Sequence, residues 1–62
     1  MYCIERLDSQ QGEWIQEVCF KTEFKAFVNA RTKSRATLGT YRVVHATWNQ
    51  VVTVVQGSAE SR

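Results

Sequence analysis

Proline does not occur in this chain of 62 residues, so it contains no rigid linker and no proline-rich ligand segment. Its three glycines stand alone, which leaves no glycine-rich loop to cradle a phosphate. Two cysteines and one histidine are the whole supply of thiol and imidazole metal ligands. Cys3, Cys19 and His45 match no zinc spacing and lack an evident fourth partner, so neither metal nor cofactor is expected. No apolar run approaches the roughly 20 residues that cross a bilayer. Residues 1–7 alternate polar with apolar and carry Glu5, unlike a secretory signal. The expectation is a protein of the cytoplasm, off the membrane, with Cys3 and Cys19 as reduced thiols. If the two cysteines face each other across a strand pair they are also close enough to bridge under oxidising conditions.

Acid is missing from most of the chain. Five of the six acidic residues (Glu5, Asp8, Glu13, Glu17, Glu23) lie in the first 23 positions, against Arg6 and Lys21 alone, a local charge of −3. From Phe24 to Ala59 there is none, while Lys25, Arg31, Lys33, Arg35 and Arg42 contribute +5. The formal net charge of +2 hides this division. A field divided in this way steers association toward one kind of surface and away from another.

What is present makes one domain. A chain this short buries only about 60% of its unfolded surface, and usually needs a disulfide, a metal or a second copy for support. With 44% hydrophobic and 23% charged residues the composition is that of a globular domain. Residues 2–7 and 13–20 read as strands around a polar turn closed by Gly12, a hairpin. Pairing residues whose numbers sum to 22 sets Tyr2 against Phe20, Cys3 against Cys19, Ile4 against Val18 and Leu7 against Ile15. The same register puts Glu5 opposite Glu17. Thr22 is a helix N-cap followed by Glu23 in the first turn. Phe24, Phe27, Val28 and Arg31 then fall at i, i+3, i+4 and i+7, the stripe of an amphipathic helix, with Ala26 and Ala30 on its flank. Gly39 marks the stop or lies just beyond it. Residues 40–46 and 51–55 are two further strands around a turn at 47–50. The predicted fold class is therefore α+β: a four-stranded antiparallel sheet with one amphipathic helix on one face, in the order β-β-α-β-β. The domain covers 1–56, with 57–62 as a frayed tail.

One helix covers one face of such a sheet, and the other face should be polar. Instead, two apolar sets emerge: Tyr2, Ile4, Trp14, Val18, Phe20, Tyr41 and Val43 on one side; Cys3, Leu7, Ile15, Cys19, Val44 and Ala46 on the other. The surplus predicts an exposed apolar patch, hence a partner or a homodimer through the sheet face, unless the strands curl to hide it. The run Val51-Val52-Thr53-Val54-Val55 has no charge to block pairing and could add a strand from a second copy.

Catalytic patterns are absent. Glu5 and Glu17 are the only paired carboxylates, with no cleft implied, and neither cysteine sits in a turn that exposes its sulfur. No enzyme is expected. The stronger signal is basic. Arg31, Lys33 and Arg35 crowd the helix end, and Arg42 follows on the next strand beside Tyr41. Trp48 lies in a polar turn, either displayed or tucked back over the sheet. These six residues are the predicted partner-binding set: Trp and Arg are enriched at interface hot spots, and cations beside an aromatic also suit a nucleic-acid backbone. A solvated helix end that merely complements the dipole is the plainer account of the same cations.

The segment Phe20-Lys21-Thr22-Glu23-Phe24-Lys25-Ala26-Phe27-Val28-Asn29-Ala30 runs a strand end into a capped helix with alanines four apart, and Thr40-Tyr41-Arg42-Val43-Val44 is a return strand carrying an arginine. Across roughly residues 14–44 this plan resembles small phage accessory proteins: the short inhibitor of host RNA polymerase made by T7-like phages, and several anti-CRISPR proteins. Arg42 matches a strand arginine with which the polymerase inhibitor touches its target. The second arginine of that family, two residues on, is Val44 here, so the plan carries over and the polymerase does not. The resemblance implies a non-catalytic inhibitor or modulator of a host protein or nucleoprotein complex, of the CRISPR effector or RNA polymerase class, in the host bacterial cytoplasm. Direct nucleic-acid binding and a structural homo-oligomer are the alternatives.

Overall fold

Alternating polar and apolar residues build four strands, and the computed structural model, which describes residues 1–57, joins them in one antiparallel sheet. The elements are β1 (Tyr2–Asp8), β2 (Glu13–Phe20), α1 (Glu23–Thr37), β3 (Thr40–His45) and β4 (Gln50–Gln56). This is the expected α+β plan. Strand order is β2-β1-β3-β4, so β2 and β4 are the two edges. Because β1 is antiparallel to both β2 and β3, those two run parallel with β1 between them. A parallel crossover needs about a dozen residues or more, and α1 supplies it.

The first hairpin follows the sum-of-22 register only at Tyr2↔Phe20, Cys3↔Cys19 and Ile4↔Val18. Glu17 is then an extra residue in β2, and the pairs become Glu5↔Gln16, Arg6↔Ile15 and Leu7↔Trp14. A uniform ladder would have set Glu5 against Glu17. The bulge removes that like-charge pair and bends the edge strand. It also moves Trp14 to the face away from the helix and Ile15 to the helix side, reversing the faces expected for both. A second bulge lies in β4, where Val43↔Thr53 is followed by Val44↔Val51, leaving Val52 unopposed.

The core lies between α1 and one face of the sheet. It consists of Ile4, Ala26, Ala30, Tyr41 and Val43, flanked by Tyr2, Phe20 and Val55. The helix does not bury the stripe that hydrophobicity picks out. Its buried residues are Ala26, Ala30 and Ser34, at i, i+4 and i+8, while Phe24 is 73% exposed and Val28 41%. The sheet supplies the bulk through Ile4, Tyr41 and Val43, and only a seam of small side chains lets a helix backbone settle against it at interior packing density. Ser34 is satisfied within this seam, donating its hydroxyl to the Gly39 carbonyl at 2.8 Å.

Both helix ends are closed locally. Thr22 Oγ1 accepts the Lys25 N–H at 3.1 Å, as a threonine N-cap should. At the other end Leu38, not Gly39, takes the left-handed conformation (φ 59°) and donates its N–H to the Ser34 carbonyl at 2.7 Å. Gly57, assigned from sequence to a frayed tail, is instead buried against this cap. A Cβ there would come within 2.5 to 2.6 Å of the Leu38 backbone and the Ser34 carbonyl oxygen, so only glycine fits. The rest of that tail, 58–62, lies outside the described residues.

Cys3 and Cys19 are joined in a disulfide across β1 and β2. The register places the two side chains directly opposite, so the structure shows the bridged form expected under oxidising conditions in place of the pair of reduced thiols.

Candidate binding surface

The six residues predicted to meet a partner do not converge. Tyr41 is 2% exposed, and its hydroxyl shares a 3.3 Å hydrogen bond with Thr37 Oγ1, so it belongs to the core. Its neighbour Arg42 points to the opposite face, as strand alternation requires. There its Nε donates to Glu5 Oε1 at 2.7 Å and its guanidinium lies 4.2 Å from the centre of the Trp14 ring. A cation so held, by a carboxylate and an aromatic face, is largely committed within the fold. Lys33 reaches the other way, to Glu17 Oε1 at 3.1 Å, and Arg6 Nε meets Glu17 Oε2 at 2.9 Å. The charges that look divided along the chain therefore partly recombine in space.

The Glu17 bulge residue is the centre of one of these recombinations. Burial pushes its carboxyl up, but the bonds from Arg6 and Lys33, with their charges, outweigh this and hold it below its ordinary value near 4.5. A depressed carboxyl contributes stability that is complete above the unfolded-state value and fades as pH falls through the folded-state one. Glu17→Gln should therefore lower stability at neutral pH by no more than about 1 kcal/mol, the scale of a partly exposed ion pair. It should also flatten the acid limb. Thermal melts of both proteins from neutral pH into the acid range test this; parallel curves would remove the role.

The face away from the helix is less bare than the sequence suggests. Cys3 and Val44 are buried there, and the Glu5, Arg42 and Trp14 cluster covers the middle. Val51 and Val54 remain exposed, toward the β4 edge. Trp48 is displayed at 73% exposure in the β3–β4 turn, its backbone N–H donating to His45 Nδ1 at 3.4 Å. His45 in turn packs edge-on against Tyr2, with ring centres 4.8 Å apart.

Arg31 and Arg35 are where the sequence places them, exposed on α1, and the structure gives them unexpected company. Phe24, Val28, Arg31 and Arg35 stand at i, i+4, i+7 and i+11 on a helix flank turned away from the alanine seam, and all four are exposed. Among the described residues Lys21, Lys25, Arg31 and Arg35 form no ion pair. Beside this stripe a shallow depression of about 400 Å³ is lined by Glu23, Phe24, Phe27 and Thr53, between the start of α1 and β4. Phe24 and Val28 were missed as surface residues because their spacing fits a core stripe equally well. The Ala26, Ala30, Ser34 spacing was the only sign that the stripe faced outward.

No family model, curated protein or solved structure matches this chain. No helix among the described residues is long and apolar enough to cross a membrane.

Proposed function

We propose that this chain is a non-catalytic binding module that grips a partner protein with the outer face of α1. One observation carries the reading: the face of the helix that the fold does not use displays Phe24 and Val28 in line with Arg31 and Arg35. Solvent alone favours polar residues at such positions. Two apolar anchors followed by two arginines suit an apolar groove with an acidic rim, the helix-in-groove mode of recognition. Arginine and aromatic anchors are also the side chains that most often dominate interface energy.

The narrower proposal is a phage-type inhibitor or modulator of a host nucleoprotein machine, a CRISPR effector or an RNA polymerase, acting in the cytoplasm of an infected bacterium. Its support is the resemblance of residues 14–44 to such inhibitors in the plan of their elements, and the cationic end of the stripe. In that reducing compartment Cys3 and Cys19 are dithiol for much of the time.

Direct nucleic-acid binding is the second reading, favoured by the four cations on or next to α1 that form no ion pair among the described residues. Two variants separate the readings. Val28→Glu spoils an apolar groove contact but touches phosphate binding little; the double variant R31E/R35E spoils both. With each chain as bait in bacterial lysate and retained proteins read by mass spectrometry, a groove partner should be held by the parent and lost from both variants. An oligonucleotide binder should survive Val28→Glu and weaken steeply with salt, with a slope of about −0.9 per duplex phosphate contact. Retention of the same proteins by all three chains would overturn the proposal. All three should show the same circular dichroism, since these side chains are exposed.

A further inference from the structure

The two edges of the sheet are built differently. β2 carries Glu13 and Glu17, with Glu17 as its bulge residue, and charge plus a bulge is how natural edges are blunted against pairing. β4 has a bulge at Val52 but neither charge nor proline. It reads Gln50-Val51-Val52-Thr53-Val54-Val55-Gln56, the same in both directions. Laid antiparallel on itself about Thr53, this strand sets valine on valine, threonine on threonine and glutamine on glutamine.

We propose that β4 is a self-pairing edge, through which two copies of this chain join antiparallel into one continuous sheet about a two-fold axis normal to it. Such an axis returns each residue to the same face of the sheet, so both α1 helices lie on one side. Half the usual strand spacing of about 4.8 Å separates β4 from the axis. The depression lined by Glu23, Phe24, Phe27 and Thr53 opens at the centre of the palindrome. The axis therefore brings two such depressions together, and the phenylalanine rings of each copy find apolar neighbours in the other. On the opposite face Val54, 52% exposed in the single chain, lies opposite Val52 of the other copy when the axis passes through Thr53, and opposite its own counterpart when the axis passes through Val54. The Val52 bulge bends the first half of the strand. A register centred on Val54 rather than Thr53 keeps the straighter half in the pairing, and both registers oppose only Val, Thr and Gln. One term resists: the two Glu23 carboxylates approach each other near the axis. Pairing consumes both β4 edges and leaves the blunted β2 edges outside, so assembly closes at two copies.

Phe24 serves both this contact and the helix-face reading, but Val28, Arg31 and Arg35 take no part here, so variants at those three and at Val54 keep the failure of one separable from failure of the other. Light scattering on the full chain across a concentration series tests it. The parent should approach twice the chain mass of 7.2 kDa. Val54→Lys places like charges on the paired edge and should weaken association by about tenfold or more, while its circular dichroism stays that of the parent. Glu23→Gln should tighten association. Hydrogen exchange should show β4 amides protected in the parent and opened in Val54→Lys. A parent that stays monomeric up to about 1 mM, a dimer indifferent to Val54→Lys, or growth beyond two copies would each overturn the proposal.

Discussion

Replacing Ala26 and Ala30 together by leucine is expected to unfold this domain or bring it to the edge of unfolding, although the change makes the helix more hydrophobic. Both alanines are fully buried against Ile4, Tyr41 and Val43. Extra methylenes at such a position cost about 1–3 kcal/mol each through forced rotamers and backbone shift. A 62-residue domain has on the order of 3–9 kcal/mol in total. The contrasting change, Phe24→Ser, enlarges nothing and empties nothing buried, so it should leave stability within about 0.5 kcal/mol. Urea unfolding of the two variants beside the parent decides the matter. A tolerated leucine pair with a damaging Phe24→Ser would mean that the helix packs by the other face.

Breaking the Cys3–Cys19 bond is the second large effect. The bond closes a loop with a sequence separation of 16. Loop-closure entropy for that length corresponds to about 3 kcal/mol, and in a domain of this size each kcal/mol moves the melting temperature by about 4–8 °C. Melting in the presence of a thiol reductant should therefore fall by about 12–24 °C. The paired variant Cys3→Ala with Cys19→Ala should fall comparably and become insensitive to reductant. An unchanged parent melt under reductant would show that the bond contributes nothing.

The fold was legible in the sequence where chemistry is local. Thr22 announces its helix, and the pairing of Tyr2, Cys3 and Ile4 with Phe20, Cys19 and Val18 follows from like meeting like. The bulge at Glu17 has no residue signature of its own. Its trace was the Glu5–Glu17 clash that a uniform ladder forces, and the exchange of Trp14 and Ile15 between faces follows from the same extra residue. The buried face of α1 was misread for a different reason. Periodicity weighs side chains by hydrophobicity, whereas a seam against a bulky sheet selects for smallness. The binding surface suffered the same error, since Phe24 and Val28 had been assigned to the interior. Tyr41 and Arg42 are adjacent in sequence, which made them look like one patch, but neighbours on a strand face opposite ways. The bonding of Cys3 to Cys19 was open because opposition can be read from register but oxidation state depends on the compartment.

Glu17 occupies β2 without a residue opposite it, so a gene that lost its codon would still encode every backbone pairing of the first hairpin. What would vanish is the bend, and with it the carboxylate that Arg6 and Lys33 share. A straightened border stacks readily, and a lineage that drops this surplus letter would drift toward fibres rather than toward an unfolded chain. Selection for solubility, more than for shape, would then be what keeps it.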